Sequence, residues 1–289
     1  MSSANTMTGK TCVVTGANSG IGKEIARGLA AEGSRVLMVA RNRERGETAR
    51  TEVSAATDNP AVELLVCDLA SQSQVRKLAT TILDGCDRLD HLVNNAGLTL
   101  GRRTLTEDGI ETTFAVNHLA PFLLTNLLRD RLEASAPSRI VTVASDAHRG
   151  AEIDFDDLGG ERGFSGWRAY QQSKLANILF NRELARRLQQ TGVTATCLHP
   201  GVVRTGFGRQ GPAFIRLGTR IAGMFLLSPK KGADTAIWLA SSPEVEGASG
   251  GYYERRHLAN PSQAARDPKA AARLWELSEQ MVGLAPDKF

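Results

Sequence analysis

The chain has 289 residues, with 35 Lys and Arg against 31 Asp and Glu and a formal net charge of +4. Its 42% hydrophobic and 23% charged residues are the proportions of a globular protein and exclude a disordered chain. The cations are mixed along the sequence rather than clustered with aromatics, which argues against a nucleic-acid partner, and no stretch of roughly 20 apolar residues offers a membrane span.

In chain order, residues 1–9 are polar and read as a loose tail with no apolar signal core. A β-branched run at 10–16 (KTCVVTG) precedes a helical pattern at 20–32. Runs at 35–41 (RVLMVAR) and 61–69 (AVELLVCDL) are followed by helical patterns at 43–57 and 71–86. Runs at 89–94 (LDHLVN) and 139–145 (RIVTVAS) flank a long helical pattern at 107–135, and 193–201 (VTATCLHPG) follows another at 166–191. A weaker run at 250–254 (GGYYE) lies between helical patterns at 229–241 and 268–282. Strands apolar at nearly every position are buried on both faces, as in parallel sheets. Their alternation with helices predicts an α/β fold, a doubly wound parallel sheet of about seven strands with helices on both faces.

Helix starts agree with this reading. Ser71 with Gln74 has capping-box spacing, and Ser228-Pro229 and Asp267-Pro268 pair a cap with a proline. No repeat or linker divides the chain, so residues 1–289 read as one domain. Two segments interrupt the alternation. Residues 146–165 are rich in Asp and Gly, and residues 206–227 carry Phe207, Phe214, Ile215, Met224 and Phe225 among Arg209, Arg216 and Arg220. The second fits a lid over a hydrophobic substrate, a helix on a membrane surface, or packing at the sheet edge. Cys12, Cys67, Cys86 and Cys197 form no C-x-x-C pair, which reads as a reduced, cytoplasmic chain.

The first strand runs into Gly16-Ala17-Asn18-Ser19-Gly20-Ile21-Gly22 and then a helix. Glycines permit a tight turn and close approach of a pyrophosphate, and the helix N-terminus offers free N–H groups and partial positive charge. A tight βα turn without a ligand is the competing reading. After the second strand, Val39–Arg43 holds no carboxylate for a ribose 2′-hydroxyl, whereas Arg41 can pair with a 2′-phosphate. NADP is therefore expected as cofactor, with a solvated arginine pair at a helix start as the alternative.

Asn94-Asn95-Ala96-Gly97 follows the fourth strand, Ser145 ends the fifth, and Tyr170-Gln171-Gln172-Ser173-Lys174 lies on the next helix. With the TGxxxGxG turn, these motifs resemble the short-chain dehydrogenase/reductase family and its Rossmann-like fold across nearly the whole chain. The strings at 116–128, 135–145 and 173–188 look like its retinol dehydrogenase branch. The resemblance implies an NADP-dependent enzyme interconverting an alcohol with an aldehyde or ketone, with a hydrophobic small-molecule substrate. It makes Tyr170 the acid, Ser145 the holder of the substrate oxygen, and Asn117 the support of a water that relays protons to Lys174. Tyr170 and Lys174, four apart, share a helix face. Lys174, together with the positive nicotinamide ring of the oxidised complex, is expected to lower the Tyr170 pKa toward ~7, and Lys174 also to hold the nicotinamide ribose. The resemblance also assigns Asp68 and Leu69 to the adenine, Asn95, Ala96 and Gly97 to the ribose and ring, and Pro200, Gly201, Val203 and Thr205 to the nicotinamide. His118, His148 and His199 share no ligand spacing, so no metal is expected. A homodimer through helices 107–135 and 166–191 is expected, using Phe122, Leu123, Leu127, Leu175, Ile178 and Leu179. A cofactor-binding regulatory protein with vestigial catalysis is the alternative, and the intact Asn117, Ser145, Tyr170 and Lys174 argue against it.

Overall fold

Strand β1 (Thr11–Thr15) is buried at every position in a computed structural model that describes residues 7–203 and 227–285. Near-continuous burial recurs in β2 (Arg35–Ala40), β4 (His91–Asn94), β5 (Ser138–Val143) and β6 (Val193–His199). β3 (Val62–Val66) lies at one edge and is partly exposed. The sheet order is β3-β2-β1-β4-β5-β6-β7-β8, with β7 at Tyr252–Glu254 and β8 at His257–Ala259. β1 to β7 pair in parallel, and β8 returns antiparallel on β7. The eighth strand was not expected, because His257–Ala259 carries no apolar run and the hairpin turn uses Arg255 and Arg256 at φ +50° and +64° in place of a Gly or Asn signal. The strand order reverses between β1 and β4, which opens a crevice at their carboxyl ends.

Helices cover both faces. α1 (Gly20–Ala31) buries Gly22, Ile25, Ala26, Leu29 and Ala30, a stripe of helical period. With α2 (Arg43–Thr57) and α7 (Pro229–Ser241) it closes one apolar layer. α3 (Gln72–Gly85), α5 (Ala120–Ala134) and α6 (Gly166–Arg187) close the other, and α8 (Pro268–Val282) packs over α6 and α5. There Trp275 meets the rings of Phe122 and Phe180 at 4.9 and 5.8 Å. Of the six residues named for the expected dimer, Phe122, Leu123, Leu175, Ile178 and Leu179 are buried within the chain and Leu127 is half-buried.

Several boundaries move for local reasons. The expected helix from 107 begins only at the Glu111 cap, whose carboxylate accepts from the N–H groups of Thr113 and Phe114 at 2.9 and 2.8 Å. After α4 (Thr112–Phe114) the chain widens into a π-turn at Ala115–Leu119 before α5. Ser71 does accept from Gln74 N, but the Gln74 side chain reaches past it to Asp68 N, 2.9 Å away. The Ser228 and Asp267 side chains cap α7 and α8 as read from the sequence. Met7 is buried and donates its N–H to Glu32 O at 3.1 Å, so the tail is anchored from that residue on. Among the described residues, no helix is long and apolar enough to cross a membrane.

Candidate active site

The β1–α1 turn is built for close approach. Gly16 has φ +66°, and a Cβ there would stand 2.9 Å from the Ala96 backbone. A Cβ on Gly22 would collide with the Gly16 carbonyl and the Asn95 amide. Thr15 joins the turn to the segment after β4: its Oγ1 accepts from Asn95 N and Ala96 N at 3.0 and 3.1 Å, while Asn95 Nδ2 donates to Thr15 O at 2.8 Å. Ser19 caps α1 without a side-chain hydrogen bond, so among the described residues it leaves the first-turn N–H groups of Gly20, Ile21 and Gly22 uncapped. Asn18 and Ser19 form the lip of this cradle, with Asn18 half-buried and Ser19 exposed. Free amides, a positive helix end and the absence of Cβ atoms fit a dinucleotide pyrophosphate.

At the carboxyl end of β2, Ala40 is buried and Arg41 is exposed, with no hydrogen bond or ion pair among the described residues. Asn42 then caps α2 by accepting from Arg45 N at 2.9 Å. Arg43 and Arg45 are also exposed. The pairing of Ala40 with Val66 sets Asp68 at the same sheet edge, where its Oδ1 accepts from Ala70 N at 3.0 Å, with Leu69 half-buried beside it.

The four residues expected to carry the chemistry converge where β5 ends and α6 passes. Ser145 Oγ accepts from Ala147 N at 3.2 Å and hydrogen-bonds the Tyr170 side chain. Lys174 is buried, donates Nζ to Val143 O at 2.9 Å, and lies 5.7 Å from the Tyr170 ring centroid. Two of its three N–H donors thus keep no protein acceptor among the described residues. Gly97 adjoins it: a Cβ there would be 3.3 Å from Lys174 Nζ and 3.5 Å from Asn117 Oδ1. Asn117, at the centre of the π-turn, is a strut. Its Oδ1 accepts from Leu98 N at 2.8 Å, and its Nδ2 donates to Leu98 O at 2.9 Å and Ser173 Oγ at 3.0 Å.

Burial governs the charge states of Tyr170 and Lys174. Burial pushes the Tyr170 phenol up to about 12, and the Ser145 hydrogen bond only partly offsets it. Burial also pushes the Lys174 ammonium down to about 8. Tyr170 therefore holds its proton at neutral pH.

Beyond β6, Pro200 and Gly201 are half-buried, Gly201 at φ +83°, and Val203 is bridged to Leu227. Thr205 and the expected lid at 206–227, apart from Leu227, lie outside the described residues. His118 Nε2 pairs with Ser278 Oγ at 2.9 Å, His148 and His199 bond to backbone, and no group of three metal-ligating side chains occurs among the described residues. Sequence reasoning gave no role to Thr15 or Ser173, although both stand inside quoted motifs. Ser173 links the Asn117 amide to the Tyr170 carbonyl, to which it donates at 2.8 Å.

Comparison with known proteins agrees with this geometry. Residues 10–213 match the short chain dehydrogenase family. The chain is 47% identical to human retinol dehydrogenase 14, covering 96% of this chain and 88% of that protein. It is 44% identical to human retinol dehydrogenase 13, covering 96% and 86%. A crystal structure from Mycobacterium paratuberculosis shares the fold with a TM-score of 0.78 at 35% identity, covering 97% and 96%. Pseudomonas aeruginosa RhlG, solved as an NADP active-site complex, aligns with a TM-score of 0.70 at 26% identity, covering 92% and 100%. The chain belongs to the short-chain dehydrogenase family, within its retinol dehydrogenase branch, and is an oxidoreductase of that family.

Proposed function

We propose that this chain is an NADP-dependent oxidoreductase, folded as one catalytic domain, that interconverts a hydrophobic alcohol with its aldehyde or ketone. The observation that carries the reading is the hydrogen-bonded pair of half-buried Ser145 and buried Tyr170 beside Lys174, at the carboxyl ends of the strands that also form the glycine cradle. Gly16, Asn18, Ser19, Gly20, Ile21 and Gly22 would hold the pyrophosphate and Arg41 the 2′-phosphate. Asp68 and Leu69 would take the adenine. Asn95, Ala96, Gly97 and the free donors of Lys174 would take the nicotinamide ribose, with Pro200, Gly201, Val203 and Thr205 at the carboxamide. The reduced cofactor supplies the hydride.

Ser145 Oγ orients the carbonyl oxygen, and Tyr170 delivers the proton to it. A phenol pushed up to about 12 retains that proton at neutral pH, so carbonyl reduction needs no prior charge rearrangement in the protein. Asn117 keeps Leu98 and Ser173 in register, which fixes the helix that carries both Tyr170 and Lys174. The hydrophobic substrate follows from the retinol dehydrogenase names of the relatives and from the apolar residues of 206–227. A reducing, cytoplasmic setting is supported by four free, buried cysteines. The test is loss of NADPH absorbance with a panel of apolar aldehydes and ketones. A regulatory protein with vestigial catalysis would bind NADPH and consume none.

A further inference from the structure

Both polar groups of one peptide unit, Ser145–Asp146, meet imidazoles, and Ser145 O also accepts from His148 N at 3.2 Å. His148 Nδ1 lies 2.7 Å from Ser145 O, and Asp146 N donates to His199 Nδ1 at 3.1 Å. Parallel pairing of β5 with β6 ends at Val143–Leu198, so the His199 ring takes over the amide just past the last rung. Proton bookkeeping fixes both tautomers. Ser262 N donates to His148 Nε2 at 3.0 Å, so Nε2 is bare and Nδ1 carries the hydrogen that Ser145 O accepts. His199 Nδ1 accepts, so it too is bare. Each ring must be neutral for its bonds to exist. Both are buried, and the His148 ring stands edge-on to Tyr252 with centroids 5.2 Å apart.

We propose that His148 and His199 are positioning residues that clamp the Ser145–Asp146 peptide and so aim the Ser145 hydroxyl at the reacting oxygen. This rests on the reading of Ser145 and Tyr170 given above. Ser145 sits where the strand has ended, and among the described residues its side chain bonds to Ala147 N and Tyr170. Without the clamp the peptide could rotate and carry Oγ off line. The clamp also ties the site to the segment after β8, through Ser262 N on His148 and through Arg149 Nη2 on Asn260 O at 3.0 Å.

The charges around the rings are mixed. Asp146 and Arg149 face both, Glu254 of β7 faces His199, and Arg149 is itself paired with Asp146. Burial is the largest influence and lowers both imidazole pKa values below the ordinary 6.5, so both rings are neutral at pH 7.

The experiment is a double-mutant cycle on kcat with an aldehyde that the enzyme reduces. Misplacement of a reacting group by about 1 Å costs roughly 100-fold, so His199→Leu is expected to lower kcat by ~10–100-fold. NADPH affinity should fall by much less than kcat, because the phosphate cradle, which holds most of the cofactor's charge, is elsewhere. His199→Asn, whose amide oxygen can accept from Asp146 N, should restore kcat to within about threefold of wild type and move the acid limb of the kcat–pH profile downward. In a Ser145→Ala background, His199→Leu should cost little more. Equal losses in both backgrounds, or no advantage of Asn over Leu, overturn the clamp alone. No loss from Ser145→Ala itself overturns the reading of the serine and the clamp with it. Nitrogen-15 imidazole shifts of the wild-type protein give a check that requires no folded variant: His148 must be the Nδ1–H tautomer and His199 bare at Nδ1. The opposite tautomer in either ring refutes the clamp.

Discussion

Arg41→Ala should remove most of the preference for NADPH over NADH while leaving the fold untouched. The guanidinium is exposed and makes no hydrogen bond or ion pair among the described residues, so its loss leaves no buried group unpaired. A charge-assisted hydrogen bond contributes about 1.5–3 kcal/mol, and exposure to solvent moves this contact to the low end of that range. At ~1.4 kcal/mol per factor of ten, wild type should bind NADPH roughly tenfold or more tightly than NADH. In Arg41→Ala the NADPH Kd should rise by about that factor, with the NADH Kd changed by less than about twofold. Inversion of the preference calls for Arg41→Asp rather than a carboxylate at position 40. Ala40 is only 3% exposed, and its Cβ would be 3.4 Å from a Cβ built on Gly46, so an aspartate there would be buried between β2 and α2. Both dissociation constants, measured by fluorescence titration at one salt concentration, decide the matter. Equal NADPH and NADH affinity in wild type, or equal weakening of both in Arg41→Ala, would refute the reasoning.

Tyr170→Phe should reduce turnover to below about a tenth of wild type while leaving NADPH affinity nearly unchanged, since the ring stays and only the proton donor goes; stopped-flow reduction and a binding titration separate the two. Gly22→Ala should abolish cofactor binding and lower Tm, because the new methyl meets backbone at Gly16 rather than a movable side chain; calorimetry with and without NADPH reads both effects. Lys174 loses its proton near pH 8 when folded and near 10.5 when unfolded, so the unfolded state binds more protons between those values and stability rises with pH there. The rise is about 3 kcal/mol by linkage and should be missing from urea titrations of Lys174→Met. Burial lowers His91 and His118 to about 3, so both stay neutral in the fold while the unfolded chain protonates them near 6.5. Stability should therefore fall by several kcal/mol, roughly, as pH drops from 6.5 toward 3, and unchanged urea midpoints across that window would contradict their burial.

The sheet was legible because its strands are buried on both faces, and a run such as CVV at 12–14 has no amphipathic alternative. The glycine cradle was legible for a related reason: Gly16 and Gly22 stand where any side chain would meet backbone, and that demand is written in consecutive letters. β8 was not legible, since three ordinary residues become a strand only because β7 presents an unpaired edge. Nor was the start at Glu111, because glutamate is not among the favoured cap residues, although its buried carboxylate does the usual work of accepting from the first-turn N–H groups.

The Tyr170–Lys174 pair shows what spacing leaves open. Four residues of separation put Lys174 on the same helix face as Tyr170, and an ammonium on that face should depress a phenol. The outcome is decided by where each polar end finds a partner. Val143 O lies at the end of β5, 31 positions from Lys174 in the chain, and accepts from its Nζ, while burial raises the phenol. The same holds for Thr15, which serves Asn95 and Ala96 across the β1–β4 crevice, and for His148 and His199, which serve one peptide between them. In each case the acceptor or donor is a backbone group, and backbone groups carry no letter. A sequence therefore names the side chains of a site more readily than it orients them. Orientation is supplied by which main-chain carbonyls and amides the fold leaves unpaired at the carboxyl ends of β4, β5 and β6.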